Sequence, residues 1–121
     1  MKNGALNWVF GDGDLPPQGN DPDFIGHEAL MMTNVGEEDA EILIDVLFED
    51  KDPVTDIKLQ LKAKRVICIR LDKPFGEQQY QIPHGQYALH LKSNVPICAV
   101  FGRLDVRQTN MAYYSVQGVS F

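Results

Sequence analysis

The sequence has few of the residues on which catalysis, metal binding and disulfide bridges depend. It contains only 2 cysteines and 3 histidines, and the histidines lie in separate segments. It also lacks a nucleophile elbow, a phosphate-binding glycine loop and a His-Glu-x-x-His motif. We therefore predict no enzyme, no catalytic residue, no metal site and no cofactor. Cys68 and Cys98 stand in apolar segments, which predicts buried, reduced thiols.

Positive charge and long apolar runs are scarce as well. The sequence has 11 Lys and Arg residues against 17 Asp and Glu residues, a formal net charge of -6. Because contact with nucleic-acid phosphates needs a basic surface, nucleic acid is a disfavoured partner. No apolar run approaches the roughly 20 residues of a membrane span, and Met1–Trp8 has no apolar block of secretory length. These absences predict a cytoplasmic protein that does not insert into membranes.

Helical periodicity is also missing, and alternating segments take its place. No helical period persists over about ten residues, whereas turn residues separate many short apolar-polar segments. The pattern predicts an all-β fold, namely one antiparallel β-sandwich of about eight strands with jelly-roll or Greek-key connections. Residues 1–121 form this single domain. The predicted strands are Leu6–Phe10, Phe24–Asn34, Ile42–Phe48, Ile57–Lys64, Arg65–Leu71, Tyr87–Lys92, Ser93–Gln108 and Met111–Phe121.

The stretch Ser93–Gln108 organises the rest of the chain. Ile97 and Phe101 fall on one side of an extended backbone, and Cys98 and Val100 fall on the other. Neither side therefore offers water a polar face. We expect one side to meet the domain's own core and the other to meet a second sheet or a neighbouring subunit.

The same stretch ends in a charged cluster. Arg103, Asp105 and Arg107 share one side at strand spacing. Two guanidinium groups beside a carboxylate can hold a planar hydrogen-bonding ligand. The same arrangement also fits an ion-pair ladder within or between subunits. Residue types alone leave both interpretations open.

Three further polar residues stand in apolar strands. His27 and Glu28 point to opposite sides of a regular strand, so they are not a ready-made acid/base pair. Arg70 has apolar neighbours and needs a partner, because an unpaired desolvated charge is costly.

Several motifs along nearly the whole chain carry a family resemblance. They include Trp8 with Pro16-Pro17, His27-Glu28, Ala63-Lys64-Arg65, Ser93-Asn94-Val95-Pro96-Ile97 and Arg103-Leu104-Asp105-Val106-Arg107-Gln108. Through the last two motifs in particular, the chain resembles the Anabaena sensory rhodopsin transducer family. It departs from the family pattern at Thr55-Asp56, where relatives favour Gly-Pro.

The resemblance implies a small β-sandwich that assembles as a cyclic homotetramer. It also implies binding of small molecules such as sugars or related metabolites, and at least one relative acts downstream of a membrane photoreceptor. The ligand-binding residues that it implies are Trp8, His27, Glu28, Arg70, Asn94, Arg103, Asp105 and Arg107.

Within this set, the resemblance suggests that His27, Asn94 and Arg103 donate hydrogen bonds to ligand oxygens. Glu28 or Asp105 would accept hydrogen bonds from ligand hydroxyl groups.

Structural roles compete with these assignments. Trp8 fits a stacking contact with a sugar face, but a tryptophan in such a strand is more often simply part of the core. Asn94 fits a turn, and Arg70 fits a structural ion pair with Glu28 or Asp105.

Three function classes follow. The first is a non-enzymatic sensor that binds a sugar-like small molecule and acts as a homotetramer. The alternative is a signal-transducing adaptor that contacts a partner protein. A DNA-associated regulator comes third, because the acidic balance opposes it.

Overall fold

The structure, a computed structural model, describes residues 4–107 and 112–121. Gln108, Met111 and residues 1–3, which entered the predictions above, lie outside the described residues. Eight strands are present, with the following bounds: β1 Ala5–Leu15, β2 His27–Asn34, β3 Ala40–Leu47, β4 Val54–Leu61, β5 Arg65–Arg70, β6 Gly85–Asp105, β7 Ala112–Val116 and β8 Val119–Ser120.

The strands form two antiparallel sheets that share β6. Sheet A has the order β4-β3-β6-β1-β8, and sheet B has the order β5-β2-β6-β7. The first part of β6 pairs with β1 and β3, and its last part pairs with β2 and β7. This arrangement confirms the predicted all-β antiparallel sandwich.

The core lies between the two sheets. Alternate residues of β3, which are Ile42, Ile44 and Val46, are fully buried, as the sequence period predicts. Ile97 and Phe101 of β6 reach the same core. Burial of each such side chain contributes roughly 1.5–3 kcal/mol, so this apolar period fixes which face of each strand turns inward.

Strand β6 merges two segments that the sequence predicts as separate strands. Its pairing with β1 shifts between Asn7–Lys92 and Ala5–Ile97. Pro96 lies in this irregular segment, where the missing amide hydrogen costs no regular ladder bond with β1. The chain therefore passes from sheet A to sheet B without a turn.

Two other boundaries differ from the prediction. Strand β1 continues past Phe10 to Leu15 through a register shift, and a Cβ at Gly13 would lie 2.7 Å from the Tyr87 ring. Glycine therefore allows a bulge where we predicted a loop. The predicted last strand divides into β7 and β8, and Gly118 between them packs against the Phe10 ring.

The β4 edge of sheet A is covered by the loop that precedes β6. Glu77 N donates to the Lys58 carbonyl at 2.9 Å. Gln78 Oε1 accepts from Lys58 N at 3.1 Å, and Gln78 Nε2 donates to the Asp56 carbonyl at 2.9 Å. The Gln78 amide thus substitutes for a neighbouring strand and blunts the exposed edge of β4.

Within residues 4–107 and 112–121, no helix is long and apolar enough to cross a bilayer.

Candidate functional site

A buried polar cluster, here called the Glu28 network, joins both sheets. It consists of Glu28, Tyr87 and Arg103 with the backbone of residues 12 and 14. Glu28 is fully buried, and its Oε2 accepts from Arg103 Nε at 2.7 Å. Its Oε1 accepts from the Tyr87 hydroxyl at 2.6 Å, and Asp14 N donates to both oxygens at 3.1 and 3.2 Å. The carboxylate therefore has three donors.

Arg103 connects this network to the bulge of β1. Its side chain is nearly fully buried, and Nη2 donates to the Asp12 carbonyl at 2.6 Å. The Asp12 carboxylate lies 4.0 Å away. Among the described residues, every buried side-chain nitrogen and oxygen has a hydrogen-bond partner. The charges therefore meet the requirement for stable burial.

Burial raises the pKa of the Tyr87 hydroxyl above its ordinary value, and the adjacent Glu28 carboxylate adds to the rise. Both effects disfavour a second negative charge in the network. Tyr87 therefore stays protonated and continues to donate to Glu28.

Asp105 and Arg107 form a separate pair next to the network. Asp105 accepts from Arg107 Nη2 at 2.6 Å, from Arg107 Nε at 3.0 Å and from the Arg107 backbone at 2.9 Å. These hydrogen bonds lower the pKa of Asp105. Arg107 is half exposed and also lies 3.7 Å from the Asp14 carboxylate.

Other predicted residues lie elsewhere. Arg70 pairs with Asp72 through two hydrogen bonds of 2.8 Å, so the suggested pairing with Glu28 or Asp105 is wrong. The Asp72 carboxylate is two residues away in sequence and reaches the guanidinium without crossing the sheet.

His27 and Trp8 each contact the backbone. His27 Nδ1 lies 2.7 Å from the Ile25 carbonyl. Trp8 Nε1 donates to the Ile97 carbonyl at 3.0 Å, and its ring stacks on Phe10 with centroids 6.2 Å apart. Trp8 is therefore partly buried against the core, which is the structural alternative considered for it.

Asn94 lies at an open groove on the outer face of sheet A. The groove has a volume of about 640 Å³. Leu43 at its floor pairs in register with Lys58 on one side and Lys92 on the other, and Glu41 pairs with Gln60. The lining residues are Glu41, Ile42, Leu43, Lys58, Leu59, Gln60, Glu77, Lys92, Ser93 and Asn94.

Lys92 is held in place beside the groove. Its Nζ lies 3.0 Å from Asp45 Oδ2 and 3.1 Å from Asp56 Oδ1. The hydrogen bond with Asp45 raises the pKa of Lys92. Asp56 has a φ of 59°, and its backbone nitrogen donates to Asp45 Oδ1 at 2.9 Å. A bulge in the β3–β4 pairing thus brings both carboxylates to one ammonium.

Other charges of the groove have no such partner. Glu41, Lys58 and Glu77 are exposed, and their charged groups form no ion pair or hydrogen bond within the part of the chain that the structure describes. Asn94 Oδ1 accepts from Glu41 N at 2.7 Å, which leaves the Asn94 amide group at the groove. The sequence analysis did not predict this groove. The signal that could have indicated it is Leu43, an apolar residue on the polar side of β3.

The outer face of sheet B carries an apolar patch, with Thr33 and Arg70 on the same face. Register places Val66 and Cys68 of β5, Met31 of β2, and Cys98 and Val100 of β6 on this face. Val66 is 68% exposed and Val100 is 44% exposed. Both cysteines are exposed too, so the prediction of buried thiols is wrong. The sequence showed that these positions avoid charge, but only the sheet pairing shows that the described chain leaves them uncovered.

The fold and its sites define a class of protein: an antiparallel β-sandwich with a strand shared by both sheets, a buried ion-pair network and an open polar groove. Among the described residues, no group of three or more His, Cys, Asp or Glu side chains is placed to hold a metal ion.

The model of the Anabaena sensory rhodopsin transducer family matches residues 3–120. The chain belongs to this family, which confirms the resemblance found in its motifs. The protein is thus transducer-like. No curated protein matches the sequence significantly.

Two solved structures are similar to this chain. The crystal structure of Thermotoga maritima 1070 has a TM-score of 0.85 and 32% sequence identity, and the match covers 98% of this chain and 97% of that one. The Anabaena sensory rhodopsin transducer has a TM-score of 0.74 and 35% identity, with 90% and 96% covered.

Proposed function

We propose that the protein is a non-enzymatic cytoplasmic sensor that binds a small polar molecule, such as a sugar or related metabolite, and acts as a homotetramer. Residues 1–121 act as one domain in this proposal. The groove on sheet A is the observation that carries it. Its volume of about 640 Å³ falls in the range of small-molecule sites.

The lining of the groove suits a hydroxylated ligand. Leu43 provides an apolar surface, and amide, hydroxyl and charged groups surround it. Ligand sites commonly combine apolar contact area with a few polar groups that fix orientation. Asn94 is the residue of the predicted set that lines the groove, and we propose that it contacts the ligand directly.

The remaining predicted residues have a supporting role in this proposal. Glu28 and Arg103 hold the bulge of β1 against sheet B, and Asp105 fixes Arg107 at the end of β6. Arg70, Trp8 and His27 act through their own intramolecular partners. We propose that these residues maintain the sandwich on which the groove is built.

The outer face of sheet B supports the homotetramer. Contiguous apolar surface of this kind is typical of interaction sites, and oligomers of one chain commonly use self-complementary patches. A second copy would cover Val66 and Val100, which their own chain leaves exposed. The same face supports the alternative function, an adaptor whose apolar face contacts a signalling partner protein.

A thermal-shift screen against small metabolites tests the sensor. A ligand at one hundred times its Kd should stabilise the protein by about 2.7 kcal/mol. Leu43→Arg should abolish the shift, because it places a bulky, positively charged side chain on the groove floor. Leu47→Arg is the matched control, since Leu47 is also an outward residue of β3 but does not line the groove. The absence of any shift for the wild type would refute the sensor.

Light scattering tests the assembly. The wild type should have the mass of a tetramer, and Val66→Glu should lower it. Val119→Glu is the control, because Val119 is about equally exposed but lies in β8 of sheet A. A monomeric wild type would refute the homotetramer and favour the adaptor.

A further inference from the structure

The charges at the groove on sheet A are unequal in number. Two carboxylates, those of Glu41 and Glu77, line the groove, and two more, those of Asp45 and Asp56, contact Lys92 from outside the lining. Two ammonium groups, those of Lys58 and Lys92, oppose them. His90 neighbours Asp45 in the register, and its Nε2 lies 2.9 Å from the Asn7 amide oxygen. The groove, taken together with the two aspartates that contact Lys92, therefore carries an excess of negative charge.

The structure also shows which of these charges are available. Lys92 lies between Asp45 and Asp56, so its ammonium group is already neutralised by neighbours. Glu41 and Glu77 are exposed, and their carboxylates have no hydrogen-bond or ion-pair partner among the described residues. Two carboxylates thus line the groove without an intramolecular partner among the described residues.

From this arrangement we infer that the ligand carries a positively charged amine on a hydroxylated framework, of which an amino sugar is the simplest kind. This inference rests on the proposed function of the groove. The amine contacts Glu41, and the Asn94 and Gln60 amides contact hydroxyl groups. Leu43 packs against the carbon framework. Phosphorylated or carboxylated ligands are repelled by the excess negative charge.

Matched sugars test the inference. Thermal shifts and calorimetric titrations are measured with glucosamine, galactosamine and mannosamine, each beside its N-acetyl form and its parent sugar. N-acetylation removes the positive charge and retains the ring. We expect at least one amino sugar to bind more tightly than both of its neutral counterparts. The difference should shrink as salt concentration rises, because exposed charges are screened.

Two charge variants give effects of opposite sign. Glu41→Gln should weaken binding of the amino sugar by about two- to fivefold, the size expected for a partly exposed ion pair. Lys58→Gln should strengthen it, because it removes a like charge from the groove. Neither variant should change binding of the N-acetyl form. Glu49→Gln, at a carboxylate outside the groove, should have no effect on any of them.

The outcomes separate the ligand class from the proposed function. Two results would contradict the amine-bearing ligand but not the sensor function. One is tighter binding of the parent or N-acetyl sugars, and the other is binding of amino sugars that is insensitive to Glu41→Gln and Lys58→Gln. If the broad metabolite screen finds binding only of compounds without an amine, the amine is likewise contradicted and the sensor function stands. The absence of binding in both screens would refute the sensor together with its ligand class.

Discussion

The Glu28 network and the groove on sheet A use the same kinds of residue in opposite ways. In the network, carboxylate and guanidinium are buried and each is held by several partners. At the groove, Glu41, Lys58 and Glu77 are exposed, and their charged groups have no partner among the described residues. The comparison teaches that a charged residue between two sheets acts on stability, whereas one on an outer face remains available to a ligand.

The largest expected effect comes from breaking the network. Arg103→Ala should lower the free energy of unfolding by about 3–5 kcal/mol, because it leaves the buried Glu28 carboxylate without its countercharge. Urea denaturation measures the loss. Arg107→Ala is the control and should cost less than about 1 kcal/mol, since Arg107 is half exposed. Equal losses for the two variants would contradict the contrast between buried and exposed charge.

The next effect concerns the hydroxyl of Tyr87. Tyr87→Phe should destabilise the protein by about 1.5–3 kcal/mol, the contribution of a hydrogen bond to a charged group. The ring remains and keeps its packing against Phe101. Thermal or urea unfolding at neutral pH measures the change. An unchanged free energy of unfolding would show that Glu28 does not need this donor.

The same tyrosine predicts a pH dependence. Its pKa is raised in the folded protein, so the stabilisation is complete below pH ~10, the ordinary tyrosine pKa, and declines as the pH rises above it. Unfolding free energy of the wild type should therefore fall by up to about 1.4 kcal/mol per pH unit above that point. Tyr87→Phe should fall less steeply. Parallel profiles would contradict the role of Tyr87.

A smaller effect is expected at Asp105. Its pKa is lowered by Arg107, so its contribution is present above the ordinary aspartate pKa and declines as the pH falls through the lowered value. Asp105→Asn should cost at most about 1 kcal/mol at neutral pH, because Arg107 is half exposed. The variant and the wild type should converge in acid, where the carboxyl is protonated. A constant difference across the acid range would contradict this account.

The smallest effects are expected at the groove. Glu41→Gln and Lys58→Gln should each change unfolding free energy by less than about 0.5 kcal/mol, as is usual for surface substitutions. Urea denaturation of the unliganded protein measures this. A loss comparable to that of Tyr87→Phe would show that the groove charges stabilise the fold, and the contrast between the two regions would fail.

The fold was predictable because alternation decides which side of a strand is buried. The buried residues of β3 followed from the two-residue alternation of apolar and polar positions. The opposite directions of His27 and Glu28 followed from the same alternation. The ends of the strands were harder to predict from the sequence. Gly11 and Gly13 signal a turn locally, yet bonding of Asp14 N to Glu28, a contact distant in sequence, keeps this part of β1 in the sheet.

The charged residues were only partly predictable. Arg103 and Asp105 share one side of β6, as expected from strand spacing. Their partners depend on sheet pairing, which places Glu28 opposite Arg103, and on the β1 bulge, which brings Asp12 to the guanidinium. The groove was missed because it requires β3, β4 and β6 side by side, and no local pattern gives that order.

The continuity of β6 has a consequence for how the protein reaches its native state. One uninterrupted backbone of 21 residues supplies Lys92 and Asn94 to one sheet and Arg103 and Asp105 to the other. A slip of β6 by one residue would turn inward-facing residues outward in both layers at once. If β6 pairs out of register, neither sheet buries the right residues, so neither can stabilise the misaligned state. We therefore expect the two sheets to assemble cooperatively around β6 in its correct register.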